Sequence, residues 1–244
     1  MLTSGAIMIW QVSPETMQGV HSLPGSGVAA LLDVLSSGEQ RRAAAFHAEE
    51  HRREYIAAHA ALRHALGWAA GVAARSIEIG GAHGAKPALI HGSDLRFNLS
   101  HTRGAALIAA ARGCEVGIDI EEHRAIDDLE AMARAVMSTA ELAAWTRLDT
   151  KARMQAFYNL WTRKEAYLKA IGLGLFHELH SITVPVTAKL LAGPVRVQDA
   201  GAEGRAVWQL VDLPVWPGYS AAVCWEGDEL PRIERRELSL AELT

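Results

Sequence analysis

Cysteine is nearly absent: Cys114 and Cys224 are the only two in 244 residues, far apart and in no CxxC pair. That argues against a disulfide-stapled scaffold and a thiolate zinc site, and makes a reduced, cytoplasmic setting the expectation. No apolar run approaches the ~18 residues of a membrane span. The opening stretch MLTSGAIMIWQVSPE has no basic leader and no small-residue cleavage site after a long apolar core, so it does not read as a signal peptide. No membrane partner is expected. A basic excess is missing too: 24 Lys and Arg stand against 28 Asp and Glu, a formal net charge of −4. No global field therefore draws in nucleic acid, and any anionic partner must be met by a local patch. Among the eleven histidines, HELH at His177 to His180 offers an i,i+3 pair without further ligands, which is expected to be surface chemistry rather than a metal site.

What is present indicates a folded enzyme-sized chain. Half the residues are apolar and 21% are charged, a globular composition, and the length allows one domain or two small ones. The segment LSSGEQRRAAAFHAEEHRREYIAAHAALRHALGWAAG is rich in helix formers. Tyr55, Ile56, His59, Leu62, Leu66 and Ala69 recur at helical spacing, so one long or two consecutive helices are expected, ending at Gly71. Arg41, Arg42, Arg52 and Arg53 then lie on or near a polar, solvated face. After the glycine-rich turn GGAHGAKPAL, the stretch DLRFNLSH alternates, with Asn98 and Ser100 on one face of a strand. AALIAAA, the turn RGCE and the strand after it read as a hairpin with a buried first arm.

Beyond HRAIDD the pattern is helical again. Ser138 and Glu141 fit a capping box, and a second long helix is expected from about Lys151 to Ile171, ending at Gly172. SITVPV, AVWQLV and YSAAVCW read as strands. Each half runs helix first and strands after, with a boundary near residues 112 to 126. A duplicated α+β unit has this pattern, although no residue-level repeat is evident.

Two acidic elements stand out. In GCEVGIDIEE, Val116, Ile118 and Ile120 share one side of a strand and Gly117, Asp119 and Glu121 the other, with the two carboxylates about 7 Å apart. Taken alone, D-x-E is either the wet face of a half-exposed strand or an oxygen donor set for a hard cation such as Mg²⁺ or Mn²⁺. In LWTRKEAYLKAIGLGL, Trp161, Glu165 and Lys169 fall at i, i+4 and i+8 on one helical stripe, and the Glu-to-Lys order would also suit a surface ion pair.

Taken together, VGIDIE followed about forty residues later by WTRKEAYLKAIG, and preceded by KP and FNLSH, resembles the 4′-phosphopantetheinyl transferases of the larger single-chain, surfactin-type group. The motifs span Lys86 to Gly172 in the family's order. The resemblance implies an α+β fold of two similar halves related by a pseudo-twofold, 1–115 and 116–244, with the active site in the cleft between them. It implies transfer of the phosphopantetheine arm of coenzyme A to a serine of an acyl, peptidyl or aryl carrier protein, with release of 3′,5′-ADP. On this resemblance Asp119, Glu121 and Glu165 hold Mg²⁺, or Mn²⁺, at the CoA pyrophosphate. Glu165 also resembles the residue proposed to accept the serine proton, and Lys169 the lysine that contacts the pyrophosphate, whereas Lys164, about 100° round the helix, points elsewhere. Lys86 and Pro87 match the adenine loop, where Ala85 departs from the family's glycine. Asn98, Ser100 and His101 match the 3′-phosphate strand, and Arg42 a further 3′-phosphate ligand. Arg124, Met132, Arg134 and Val136, between His123 and Met137, would meet the acidic carrier. A single chain with both halves is expected to act as a monomer. The competing expectation is a Mg²⁺-dependent nucleotide or CoA pyrophosphate hydrolase using the same carboxylates.

Overall fold

The structure is a computed structural model that describes residues 2–81, 85–90, 94–172, 178–201 and 206–244. It begins with β1 (Ala6–Val12), α1 (Pro14–His21), α2 (Gly25–Asp33), α3 (Ser37–Ala44) and α4 (Glu49–Ala70). Four strands follow, β2 (Ile79–Gly80), β3 (Ala88–Leu89), β4 (Leu95–Thr102) and β5 (Ala105–Arg112), and then β6 (Val116–Glu122). Next come α5 (Leu129–Val136), α6 (Thr139–Thr146), α7 (Thr150–Ile171), β7 (Ile182–Thr183), β8 (Val195–Arg196) and β9 (Gln198–Asp199). The chain closes with β10 (Trp208–Asp212), β11 (Tyr219–Glu226), β12 (Arg232–Glu237) and α8 (Leu240–Leu243). This is an α+β chain. It divides into two compact units: Met1–Gly81 with Pro87–Gly113 and Pro231–Thr244, and Ala82–Lys86 with Cys114–Leu230.

The first unit is built on a four-stranded sheet in the order β12-β1-β5-β4. In β5, a strand made largely of alanine, every residue from Ala105 to Ala111 is buried, and Ala106, Ile108 and Ala110 share one core with α4. Small side chains on both surfaces, including Ala58, Ala61 and Ala65 of the helix, let the helix and the strand approach. The expected helical region resolves into two helices, α3 and α4, and α4 ends at Gly71 with φ 75°. That left-handed residue is the usual glycine stop.

The expected hairpin of β5 with β6 does not form. Both edges of β5 are taken, by β1 on one side and β4 on the other, so no backbone groups remain for β6. Instead β4 and β5 make the hairpin, through a turn with Gly104 at φ 72°, and β6 pairs with β11. The tail also departs from the expected boundary: Pro231–Thr244 clusters with the first unit rather than with 116–230, because β12 pairs in parallel with β1. Part of the glycine-rich turn, residues 82–84, and His177 of HELH lie outside the described residues.

The second unit carries a sheet in the order β6-β11-β10-β8, with α7 against β6 and β11. One glycine permits that packing. A Cβ on Gly117 would lie 2.1 Å from the Ala166 carbonyl oxygen and 2.3 Å from the Ala170 nitrogen. Two buried ion pairs also hold α7. Lys164 donates to Glu141 at 2.6 Å and to the Val136 and Leu179 carbonyls, while Arg163 binds Asp212 through two donors at 2.8 and 2.5 Å. Lys164 is thus buried away from the Glu165 stripe. The capping box at Ser138 and Glu141 forms as the spacing requires, so Glu141 both starts α6 and neutralises Lys164.

Gly117→Ala is expected to destabilise the protein by about 2 kcal/mol or more, since the added methyl meets backbone rather than a flexible side chain. Chemical denaturation of the variant beside the wild type checks this. A change below about 0.5 kcal/mol would show that α7 can retreat from β6 at little cost.

Candidate active site

The close approach of α7 to β6 brings the acidic strand and the charged helical stripe together. Lys169 donates to Asp119 Oδ1 at 2.6 Å, and Asp119 is 2% exposed. Glu121 follows on the same strand face. It receives a hydrogen bond from the Trp161 side chain, so i, i+4 and i+8 of the helix all face the strand. Burial, then the charge of Asp119, push Glu121 up to about 7; Lys169 and the Trp161 hydrogen bond pull against this, and Glu165 adds to the rise. Glu165 is raised too, by burial first and by Asp119 next, with Lys169 opposing. Its Oε1 is buried with no hydrogen-bond partner among the described residues.

These features suit a hard divalent cation. The donors are all oxygen, two of the carboxylates hold protons more tightly than usual, and one buried oxygen lacks a donor. The three do not already stand at ligand spacing. Among the described residues the trio whose donor atoms all lie within 4.8 Å of one another is His21, Glu50 and Glu54 of the first unit. There Glu54 accepts the Gly104 N–H and Glu50 faces Arg103 at 3.7 Å, an arrangement that has its own hydrogen bond and counter-charge.

Comparisons with known proteins place the chain in a family. The family model of the 4′-phosphopantetheinyl transferase superfamily matches residues 115–224, which contain both elements. The 4′-phosphopantetheinyl transferase HetI of Nostoc sp. (strain PCC 7120) is 32% identical over 229 residues, covering 93% of this chain and 90% of HetI. The chain belongs to the 4′-phosphopantetheinyl transferase superfamily. The transferase Sfp of Bacillus subtilis is 30% identical over 146 residues, 60% of this chain and 62% of Sfp. Psf-1 of Bacillus pumilus is 32% identical over 139 residues, 57% and 56% of the two chains. The protein is thus an enzyme of the phosphopantetheinyl transferase kind.

The other expected contact residues of this transferase are placed unevenly. Pro87, Asn98 and His101 line one cavity of about 250 Å³ in the first unit, with Glu39, His59 and apolar walls that include Leu62 and Phe97. Ser100 is buried and is not among the residues lining that cavity. Arg42 is exposed in the last turn of α3. Lys86 is used differently from the expectation of a phosphate ligand. Its ammonium donates to Glu115 at 2.7 Å, the Val116 carbonyl at 2.8 Å and the Ala170 carbonyl at 2.9 Å. Those three acceptors match its three N–H groups, so its evident work is to fasten the loop to β6 and the end of α7.

Glu39 and His59 were not singled out as site residues by the sequence. Glu39 begins as a capping residue: it closes the box with Ser36 at the start of α3. It also accepts from Arg63 at 2.7 Å and lies 3.2 Å from His59 Nδ1. Burial pushes its pKa up, but the hydrogen bonds from His59, Ser36 and Arg63 outweigh that and hold it down to about 2. The signal was available in the S-x-x-E spacing of SSGE, and His59 already lay in the helical pattern.

Two expectations follow from the geometry. Lys86→Met should destabilise the second unit by about 1–3 kcal/mol, because Glu115 and two carbonyls lose a donor. A denaturant midpoint equal to wild type would show that these contacts are not maintained in solution. Glu121 supplies a pH signature in metal-depleted protein. A carboxyl held up to about 7 in the folded state and near 4.5 when unfolded favours folding at low pH, and this contribution is lost as pH rises through 7. The Tm should therefore fall between about pH 5 and pH 8, and Glu121→Gln should flatten the fall. Parallel Tm-against-pH curves for the two proteins would contradict this.

Proposed function

We propose that this enzyme transfers the 4′-phosphopantetheine arm of coenzyme A to a serine of an acyl or peptidyl carrier protein and releases 3′,5′-ADP. The observation that carries the reading is the cluster of Asp119, Glu121, Glu165 and Lys169, in a chain 32% identical to a named transferase over 93% of its length. In the reaction the serine oxygen forms a bond to the phosphorus bearing pantetheine. The bond from that phosphorus to the bridging oxygen breaks, and 3′,5′-ADP leaves with the electron pair.

Asp119, Glu121 and Glu165 would hold Mg²⁺ or Mn²⁺, which when bound would neutralise charge developing on the pyrophosphate. Glu165 is proposed to take the serine proton, since burial and Asp119 raise its affinity for one. Lys169, one turn along from Glu165, would move from Asp119 to a pyrophosphate oxygen. The nucleotide end of CoA is proposed to enter the first-unit cavity at Asn98 and His101, with Arg42 meeting phosphate. Lys86 would act by fixing the loop that precedes Pro87.

Further parts of the reading concern the surroundings. The two units are proposed to be versions of one plan, related by a pseudo-twofold: each sets a 22-residue helix ending in a left-handed glycine against a four-stranded sheet. The carrier would meet the half-exposed Met132 together with Arg124 and Arg134, which suits an acidic partner. The enzyme is proposed to act as a cytoplasmic monomer, without nucleic acid or membrane partners.

The test is mass spectrometry of an apo carrier protein incubated with CoA and Mg²⁺, run beside product analysis of CoA alone. A phosphopantetheine mass increment on the carrier is expected. Nucleotide product without any carrier would indicate a hydrolase and sink the transfer reading. Asp119→Ala should lose turnover that high Mg²⁺ partly restores, whereas Glu165→Gln should stay about 10²-fold slow or worse at saturating metal. Rescue of Glu165→Gln by metal alone would leave that carboxylate as a ligand only.

A further inference from the structure

We infer that the Tyr158 hydroxyl is a positioning group for the carrier protein: it clamps the backbone of Arg124 to α7 and so sets where that arginine meets its acidic partner. The inference rests on the proposal that the carrier docks on Arg124, and it names a residue that acts through it without touching either substrate.

The argument begins where β6 ends. The strand runs to Glu122, the His123 N–H still donates to the Gly218 carbonyl at 2.7 Å, and regular structure resumes only at Leu129 with α5. A chain that leaves its ladder must satisfy its backbone groups elsewhere. At Arg124 one phenol does this twice over. The Arg124 N–H donates to the Tyr158 oxygen at 3.0 Å, and the Tyr158 hydroxyl donates back to the Arg124 carbonyl at 3.0 Å. Those two groups belong to the peptide planes on either side of the same Cα, so holding both fixes the direction in which the side chain departs. The hydroxyl spends its one hydrogen and an acceptor position on a single residue.

Tyr158 is itself held firmly. It is 7% exposed, and its ring stacks on His123 with centroids 4.7 Å apart and meets Phe157 edge-on at 5.7 Å. His123 Nε2 lies 2.8 Å from Ser220 Oγ of β11, and that hydroxyl donates to Asn159 Oδ1 at 2.6 Å. Strand, tyrosine and the next residue of α7 are thereby joined. The same helix presents Trp161, Glu165 and Lys169, so Arg124 is referenced to the element that carries the proposed proton acceptor. Its guanidinium is largely exposed and comes only to 4.0 Å of Glu122, which leaves it facing solvent where an acidic surface can reach it. A long side chain on an unanchored segment would attract the carrier without fixing its distance from the site.

Tyr158→Phe removes the clamp and keeps the ring packing. Steady-state transfer to an acidic apo acyl carrier protein is measured for wild type, Tyr158→Phe, Arg124→Ala and the double variant. Tyr158→Phe is expected to raise the carrier KM about threefold to tenfold, with the CoA KM and kcat within about twofold of wild type. In the Arg124→Ala background the same change should add less than about twofold, because the clamp then has nothing to position. Additive effects overturn the inference, since they place the phenol's role elsewhere. So do an unchanged carrier KM in Tyr158→Phe and a parallel loss of kcat or CoA affinity, which would mark general damage to β6 and α7. Should Arg124→Ala leave the carrier KM unaltered, the inference fails while transfer itself stands. Wild-type protein that transfers nothing to the carrier removes the transfer reading and the inference with it.

Discussion

The second unit depends on a distance that only glycine allows. With no side chain at Gly117, the α7 backbone rests directly on β6, and every polar group of the candidate site inherits its position from that contact. Move the helix out by the width of a methyl group and Lys169 no longer reaches Asp119, nor Trp161 Glu121. The glycine in V-G-I-D-I is therefore as much a part of the site as the aspartate two residues later. Its cost in backbone freedom is offset by the packing it permits.

Close approach alone would not fix the helix about its own axis. That is the work of Arg163, which binds Asp212 of β10, and of Lys164, which binds Glu141 of α6 and nearby carbonyls. Paired and fully hydrogen-bonded, such buried charges add little net stability, but removing one partner is expensive, so they resist rotation strongly. Trp161, Glu165 and Lys169 are then presented to β6 together. Burial first, and then the neighbouring charge of Asp119, is why Glu121 and Glu165 hold protons more tightly than free carboxylates do.

Much of this was legible in the residues. The alternation in VGIDIE placed Asp119 and Glu121 on one face, the i,i+4,i+8 stripe placed Trp161, Glu165 and Lys169 on another, and Gly71 and Gly172 marked the ends of both long helices. All of these are local patterns. What the sequence concealed was pairing at a distance. Nothing in RGCE says that β5 has both edges occupied, and nothing in the last fourteen residues says that β12 lies along β1. Nor does a short lysine-proline motif reveal that Lys86 is enclosed by Glu115 and two carbonyls. A lysine beside a glycine-rich turn suggests an anion, and only the fold shows an acceptor for each of its protons.

The placement of charge also bears on how an acidic chain could hold a polyanionic substrate. Among the described residues, four of its most enclosed cations are committed inward: Arg63 to Glu39, Lys86 to Glu115, Arg163 to Asp212, Lys164 to Glu141. A buried cation with such a partner has its field largely cancelled at a distance, so these groups build the scaffold rather than an attractive potential. Lys169 differs, because its partner Asp119 belongs to the carboxylate group that is suited to a divalent ion. Were those carboxylates to hold a divalent cation as proposed, the hold of Asp119 on Lys169 would weaken and the lysine could turn to a phosphate oxygen. Metal and substrate would then favour one another's binding through a single side chain, with no change in the fold.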